Sequence, residues 1–265
     1  MASKNSVIKP IAQAGLTAKG LVYCLLGLLA FMAAFSLGRQ SADSTNRKAV
    51  FDFVGEQTGG KIMLGAIALG LVCYVFWRFF QAVRKSSGND KKSKQAAKRL
   101  RYCASGVIYA IVAYQVIKRL LASQSGSKDS SHDAVQELLA KSYGEVVVGV
   151  IAAVLLIIGL YQVYYGLSEK YKKHVDKVIS GNKADVLLNS GKIGYVARGV
   201  VWALMSFLLF RAAVYSNASQ AGDTSKAFGF LKDTSYGSWL LAAVALGVIC
   251  YGTFCFVRAR YENFT

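Results

Sequence analysis

The sequence predicts an all-α integral membrane protein in which six transmembrane helices form three parallel two-helix repeats. The first observation is apolar length, because residues 20–38, 146–167 and 238–257 contain no charged residue. Each stretch has about the 20 residues that a helix needs to cross the hydrocarbon layer of a bilayer. The composition agrees, since 54% of the 265 residues are hydrophobic and only 17% are charged. The other two observations are an internal repeat and an uneven distribution of basic residues.

The repeat begins with a basic or polar residue, followed by a glycine, two aliphatic residues and an aromatic residue. Its three copies occupy residues 19–23, 105–109 and 198–202. A second apolar helix follows each copy after a polar loop. The second helices of the first and third repeats match at a constant offset of 177 residues, whereas the middle one matches only after a shift that pairs Tyr161 with the tyrosines of the others. We predict six helices, at residues 18–38, 61–83, 102–122, 145–167, 196–215 and 238–258.

The repeats divide one membrane domain into residues 1–90, 91–180 and 181–265. Two-helix repeats keep the same orientation, so an axis along the membrane normal relates them, and we predict a bundle with pseudo-threefold symmetry. The loop inside each repeat contains a short amphipathic stretch, which we expect to be a helix at the membrane surface or capping the bundle. A ligand gate is the alternative. These stretches are residues 48–54, 133–139 and 226–231.

The charge distribution predicts the orientation of the chain in the membrane. The termini, the two linkers between repeats and the adjoining helix ends carry 21 of the 32 basic residues and five of the 14 acidic ones. Their net charge is therefore +16, whereas the loops inside the repeats carry +2. Because Lys and Arg collect in cytoplasmic loops, we predict that both termini are cytoplasmic. The same rule accounts for the total charge of +18 without a nucleic-acid partner.

The residues that open and close the repeated helices resemble a known family. The first helix of the first repeat contains Ala18-Lys19-Gly20 with Tyr23, and that of the third repeat contains residues 194–199 with Trp202. The second helices of the same two repeats contain Gly70 with Tyr74 and Gly247 with Tyr251. This pattern resembles the domain-of-unknown-function 1206 family over almost the whole chain. The resemblance implies a six-span protein of the bacterial inner (plasma) membrane, and it implies no activity. The middle repeat departs from the pattern because Ser105 replaces the basic residue.

The sequence offers no motif for catalysis or metal binding. Its five cysteines lack zinc-type spacing, and neither of its two histidines lies in a predicted span. No phosphate-binding loop, nucleophile elbow or paired-histidine zinc motif is present. No Asp or Glu lies deep in a predicted span, which argues against a proton relay made of carboxylates. We therefore predict a protein that is not an enzyme and that holds no cofactor and no metal.

Basic residues near the ends of the predicted spans form the candidate site, because ionisable residues within a membrane are costly. One interpretation is that their long side chains extend to the lipid headgroups. In the other, Lys19 and Arg198 each stand at the start of a helix and bind a phosphate or carboxylate group. An anionic lipid headgroup is the expected ligand on this side of the membrane. The candidate residues are Lys19, Arg198, Arg78, Gly20 and Gly199.

Three functions are compatible with these observations. The first is a non-enzymatic membrane scaffold or accessory protein, whose basic cytoplasmic face binds anionic lipid or an acidic protein partner. The second is a small-solute or ion transporter with a path along the pseudo-threefold axis, which a polar central cavity would favour. The third is a membrane redox enzyme that uses Cys73, Cys250 and the tyrosines. The sequence favours them in that order.

Overall fold

The computed structural model describes residues 2–37, 41–42, 45–83, 92–121, 130–141, 143–175 and 182–262. These residues form nine α-helices and no strand. The predicted basic linkers fall partly outside the described residues, at 84–91 and 176–181. The helices are α1 (Ala2–Ala34), α2 (Arg47–Glu56), α3 (Gly60–Val83), α4 (Lys92–Leu121), α5 (Ser130–Leu139), α6 (Gly144–Leu167), α7 (Asn182–Val214), α8 (Thr224–Lys232) and α9 (Gly237–Tyr261).

Six of the described helices are long and apolar enough to cross a membrane, which confirms the predicted six-helix membrane fold. Each of the six spans has at least the roughly 20 residues that the hydrocarbon layer requires. Two such helices belong to each repeat, with one short helix between them. The spans are Lys9–Ala34, Gly60–Val83, Tyr102–Leu121, Gly144–Leu167, Leu187–Val214 and Gly237–Tyr261.

Two of the spans begin earlier than the sequence predicts, whereas the third, predicted at residues 102–122, begins at Tyr102 as expected. The helix α1 starts at Ala2 rather than near residue 18, and it contains Pro10. The helix α7 starts at Asn182 and its span at Leu187, before the predicted residue 196. The prediction was wrong because it took a basic residue as the edge of the membrane. In the structure, tyrosines accommodate the basic residues Lys19 and Arg198 well inside α1 and α7.

Close backbone packing joins the two long helices of the first repeat. The chain forms two compact units, and the first comprises Met1–Val22, Phe51–Gln124 and Cys255–Thr265. In this unit a Cβ added to Gly15 would lie 2.6 Å from the Cα of Tyr74, and one added to Gly70 would lie 2.4 Å from the Cβ of Ala18. Helices in a bilayer associate through such small residues.

The third repeat packs in the same way within the second unit, which comprises Tyr23–Val50 and Ser125–Phe254. A Cβ added to Gly194 would lie 2.5 Å from the Cα of Tyr251. One added to Gly247 would lie 2.3 Å from the Cβ of Ala197. Both contacts reproduce those of the first repeat, residue for residue.

The structure corrects the register of the middle repeat. Its second long helix opens at Gly144, as the others open at Gly60 and Gly237, because a Cβ there would collide with a carbonyl oxygen of the preceding short helix. Ile158 follows Gly144 by the same number of residues as the buried tyrosines Tyr74 and Tyr251 follow Gly60 and Gly237, so it is their equivalent in the middle repeat. The shifted counterpart suggested by the sequence, Tyr161, is 46% exposed.

The short helices α2 and α8 are buried in the protein. On α2, Val50, Phe51 and Val54 are almost completely inaccessible, and on α8 the same holds for Ala227 and Phe228. This burial favours helices that cap the bundle, as one of our two expectations proposed, over helices that lie on the membrane surface. It also brings polar residues of the loops inside the repeats close to the spans.

Candidate functional site

A buried lysine lies against two tyrosines in the first unit. Lys19 is 4% exposed, and its Nζ donates a hydrogen bond of 3.2 Å to Oη of Tyr74. The same Nζ lies 5.0 Å from the ring centroids of both Tyr74 and Tyr109. Cations are attracted to the faces of aromatic rings, by about 2 kcal/mol or more where water is excluded. This attraction offsets part of the cost of burying Lys19.

Arg78 joins the same cluster from one helical turn further along α3. Its Nε donates to Oη of Tyr74 at 2.8 Å, and its Nη1 donates to Oε1 of Gln81 at 2.9 Å. Its guanidinium carbon lies 5.6 Å from the ring centroid of Tyr102. One phenol oxygen therefore accepts hydrogen bonds from two cationic side chains on two helices.

The second unit contains an equivalent cluster around Arg198. Its guanidinium carbon lies 4.2 Å from the ring centroid of Tyr251 and 5.0 Å from that of Tyr23. The two rings contact each other edge to face, with centroids 4.9 Å apart. The structure thus brings Lys19 and Arg198 into matching surroundings, as their equivalence in the sequence predicts.

The two clusters are assembled from successive repeats in the same way. Each takes its cation and one tyrosine from its own repeat, and its second tyrosine from the first helix of the following repeat. The Lys19 cluster therefore uses Tyr109 of the second repeat, and the Arg198 cluster uses Tyr23 of the first. The middle repeat has no cation at this position. The equivalent positions are occupied by Ser105 and Ile158 of the middle repeat and by Trp202 of the third.

The expectation that Lys19 and Arg198 stand at helix N-termini is wrong. Lys19 is ten residues into its span and Arg198 is eleven residues into its own, which places each about 15 Å from the span's start at 1.5 Å per residue. Gly20 and Gly199 are both buried. Gly199 allows close contact with α6, because a Cβ there would lie 2.6 Å from Cγ2 of Val163, so it serves helix packing.

A cavity of about 60 Å³ lies beside Arg198 in the second unit. A second arginine, Arg47, reaches it from the start of α2 and donates a hydrogen bond of 3.3 Å to Oη of Tyr23. The ring of Tyr23 therefore contacts both guanidinium groups. The lining residues are Tyr23, Leu26, Arg47, Arg198, Val201, Trp202, Met205, Thr224, Phe228 and Val248.

One feature of the sequence points to Arg47, which was not among the candidate residues. Arg47 directly precedes the amphipathic stretch of the first repeat, and it lies 177 residues before Thr224, which is the offset between the second helices of these repeats. Both residues line the cavity. Reading the cavity from the sequence would have required knowing that the short helices are buried.

The N-termini of α2 and α8 meet beside the cavity. Oδ1 of Asn46 accepts the backbone N–H of Ala49 at 3.0 Å, and Oδ1 of Asp223 accepts that of Ser225 at 2.8 Å. Nδ2 of Asn46 also donates to Oδ2 of Asp223 at 3.2 Å. Both carboxylate oxygens of Asp223 are therefore engaged. Helix N-termini carry partial positive charge and attract anions.

Taken together, the cavity combines two guanidinium groups and two helix N-termini with mostly apolar walls. Such an arrangement can hold an anionic group. It offers neither a nucleophile paired with a base nor a cluster of metal ligands, and the described part of the chain contains no group of three His, Cys, Asp or Glu residues that could hold a metal ion.

Comparisons with known proteins agree with the three repeats. The family model described as Domain of Unknown Function (DUF1206) matches residues 14–85, 100–169 and 193–262. The chain is also 25% identical over 260 residues to an uncharacterized protein, YxxB, of Bacillus subtilis (strain 168), covering 97% of this chain and 92% of that protein. No solved structure matches the chain. The chain matches the family model once in each of its repeats, and it is therefore a member of the DUF1206 family.

Proposed function

We propose that the protein is a non-enzymatic membrane transporter that binds a small anion between Arg47 and Arg198. The observation that carries the proposal is the cavity, which has two guanidinium groups at its wall. Rings of Arg or Lys are typical of anion pathways, and both arginines lie at the wall of this cavity. A polar central cavity was the feature expected to favour a transporter over a scaffold, and the two guanidinium groups at this wall are the polar element that supports the proposal.

Equivalent residues of the first and third repeats line the cavity in pairs, which supports a path between repeats. The pairs are Tyr23 with Trp202, Leu26 with Met205, and Arg47 with Thr224. Transport proteins commonly bind their substrate at the interface of internal repeats. We therefore place the proposed anion path along the predicted pseudo-threefold axis that relates the repeats.

We further propose that the protein lies in the bacterial inner membrane with both termini in the cytoplasm, as the net charge of +16 on that side predicts. The short helices α2 and α8 then lie on the outer side, and an anion would reach the cavity past them.

The test is anion flux into proteoliposomes that contain the purified full-length protein. We expect Arg198→Gln to abolish the flux, because the neutral amide removes one of the two charges at the cavity. Arg211→Gln is the matched control, since Arg211 lies on the same helix, stacks on Phe207 and Tyr215 and does not line the cavity. Wild-type protein that moves no anion, with normal folding shown by size-exclusion chromatography, would contradict the proposal.

A scaffold or accessory role is the second candidate, in which the basic cytoplasmic face binds anionic membrane lipid or an acidic protein partner. It is favoured by α4, whose first ten residues extend before the span with five basic residues among them. Exchange of Lys92, Lys94 and Lys98 for Gln should then reduce the anionic lipid that copurifies with the protein, measured by native mass spectrometry at low salt. Unchanged lipid and partner retention would exclude this role for α4.

A further inference from the structure

We infer that the C-terminal end of α6 binds an anionic phospholipid, whose phosphate contacts Lys170 and Tyr164 and whose acyl chains lie along the exposed face of α6. The inference does not depend on anion transport, and it assigns to α6 a lipid contact that the second candidate role places on α4. Three features carry it: an apolar stripe on α6, a cation and a phenol held at the end of that stripe, and the hydrogen-bonding chemistry of this pair.

The apolar stripe lies on the face of α6 that points away from α7. On the side of α7, Gly159 and Gly166 are buried and pack against that helix. On the other side, exposed residues follow one another at intervals of three or four, as neighbours on one helix face do. Because α6 is one of the membrane-competent spans, acyl chains contact this stripe up to its last residue. The stripe comprises Ile157, Leu160, Tyr164 and Leu167, each between 54% and 65% exposed.

A lysine and a tyrosine are paired at the end of the stripe. Nζ of Lys170 donates a hydrogen bond of 2.7 Å to Oη of Tyr164 and lies 4.4 Å from the centroid of its ring. Both side chains are exposed. Tyrosine and lysine at the end of a span keep their apolar parts among the acyl chains and their polar atoms at the level of the headgroups. The pair therefore lies where the phosphate of a lipid along the stripe is expected.

The chain after α6 holds Lys170 in this position. Glu169 has a left-handed conformation, with φ of 54°, and the short 3-10 helix Lys170–His174 follows it. Within this helix Tyr171 is completely buried, and its ring centroid lies 5.3 Å from that of Phe254. Since Tyr171 fixes one side of the short helix inside the protein, the neighbouring Lys170 is presented at the surface beside α6.

The pair can bind a phosphate through two kinds of donor. An ammonium group carries three N–H donors, and a phenol oxygen that accepts a hydrogen bond still has its own O–H to donate. The nearby carboxylate of Glu169 forms ion pairs with Lys172 at 2.7 Å and with Lys192 at 3.5 Å, which offset its repulsion of a phosphate. The choline group of phosphatidylcholine would bring a second positive charge to Lys170. The pair therefore favours a lipid with net negative charge.

The test measures lipid preference at one position by fluorescence. The three natural tryptophans, Trp77, Trp202 and Trp239, are exchanged for Phe, and Leu167→Trp then provides the single indole of the full-length protein. The protein is reconstituted in phosphatidylcholine vesicles that contain dibrominated phosphatidylglycerol or dibrominated phosphatidylcholine. Bromine quenches indole on contact, so the quenching by the two lipids gives their relative binding constants at this position. Val146→Trp is the matched reporter, because Val146 is exposed near the other end of α6.

We expect phosphatidylglycerol to bind about fivefold more tightly than phosphatidylcholine at position 167, as one lysine at a membrane surface provides, and equally at position 146. Lys170→Gln should remove the preference and Tyr164→Phe should reduce it, whereas Lys170→Arg should keep it. Lys141→Gln and Tyr143→Phe are the controls, since they change an exposed lysine and an exposed tyrosine just before the other end of α6. The comparison of the two lipids needs no change in the pair itself, so it stays decisive if Lys170→Gln fails to fold.

Three results would overturn the site: equal binding of the two lipids at position 167, the same preference at both reporters, or a preference that survives Lys170→Gln. Inorganic phosphate separates the two sources of the ligand chemistry. At constant ionic strength it should leave the preference unchanged, and a preference lost with phosphate but kept with chloride would show that the pair binds free phosphate instead of a lipid. Both reporters lie on α6, so these failures would not bear on the anion flux or on the lysines of α4.

Discussion

Asn46 donates a hydrogen bond of 3.2 Å to Asp223, and the two residues lie 177 residues apart at the same position of the first and third repeats. Each caps the short helix that follows it. A contact between equivalent residues joins the starts of α2 and α8 where Arg47 and Thr224 enter the cavity wall. The other end of α8 is also attached, because Nζ of Lys232 donates to the carbonyl oxygen of Ala33 at 2.7 Å.

Placing a second carboxylate at this contact should destabilise the protein. Asn46→Asp keeps an oxygen that can cap α2 but sets it against the carboxylate of Asp223. At about 4 Å and an effective dielectric constant of about 20, two like charges repel by roughly 4 kcal/mol. We expect a lower midpoint of thermal unfolding in detergent, partly restored by salt. Asn46→Ser, which keeps a capping oxygen without the new charge, is the control, and equal midpoints for both variants would contradict the interpretation.

Removing the phenol oxygen of Tyr74 should destabilise the first unit. Tyr74→Phe keeps the ring beneath Lys19 but leaves N–H groups of Lys19 and Arg78 without this acceptor. Losing an acceptor for buried donors costs about 1–3 kcal/mol. Thermal unfolding in detergent checks the loss, with Tyr114→Phe as the control on an exposed tyrosine of α4. Equal stability of the two variants would show that the Oη contacts contribute nothing.

The fold was predictable because it depends on patterns that the sequence states directly. Uncharged length set the number of spans, and the motif that recurs at residues 19–23, 105–109 and 198–202 set the repeat. The ends of α1 and α7 were mispredicted because the sequence does not show that tyrosines from another repeat lie against Lys19 and Arg198. Cation–ring contacts between distant segments leave no periodic signal.

The candidate site was only half predictable, for a similar reason. Arg198 was found from its position in the repeat. The cavity and Arg47 were missed because they depend on the burial of α2, and the amphipathic pattern of α2 fits a surface helix equally well.

Acid should break the ion pairs of Glu169, in the linker after α6. Hydrogen bonding from Lys172 lowers the pKa of this carboxyl below its usual value, although its slight desolvation opposes the shift, and Lys192 adds to the lowering. The Nζ of Lys172 lies 2.7 Å from Oε2 of Glu169. A carboxyl with a lowered pKa stabilises the fold above its unfolded pKa, and this contribution is lost as the pH falls through its folded value.

We therefore expect a carboxyl ¹³C titration of Glu169 with a midpoint below that of a free glutamate. Lys172→Gln should move the midpoint upward, whereas Lys141→Gln, on an exposed lysine outside this group, should not. A midpoint that stays unchanged in Lys172→Gln would show that the ion pair does not form in solution.

Adding a methyl group at two glycines of the second helices should have opposite effects. A Cβ at Gly247 would lie 2.3 Å from the Cβ of Ala197, which is far inside van der Waals contact, whereas a Cβ at Gly65 would meet nothing within 4 Å. Gly247→Ala should therefore push α9 away from α7 and lower the unfolding midpoint, since overpacking costs about 1–3 kcal/mol. Gly65→Ala should leave stability unchanged or raise it by roughly 0.5–1 kcal/mol, because alanine loses less backbone entropy than glycine in a helix. Equal unfolding temperatures of the two variants would show that α7 and α9 do not approach closely at Gly247 in the folded protein. They would also contradict the pairing of these two helices, on which the Arg198 cluster depends.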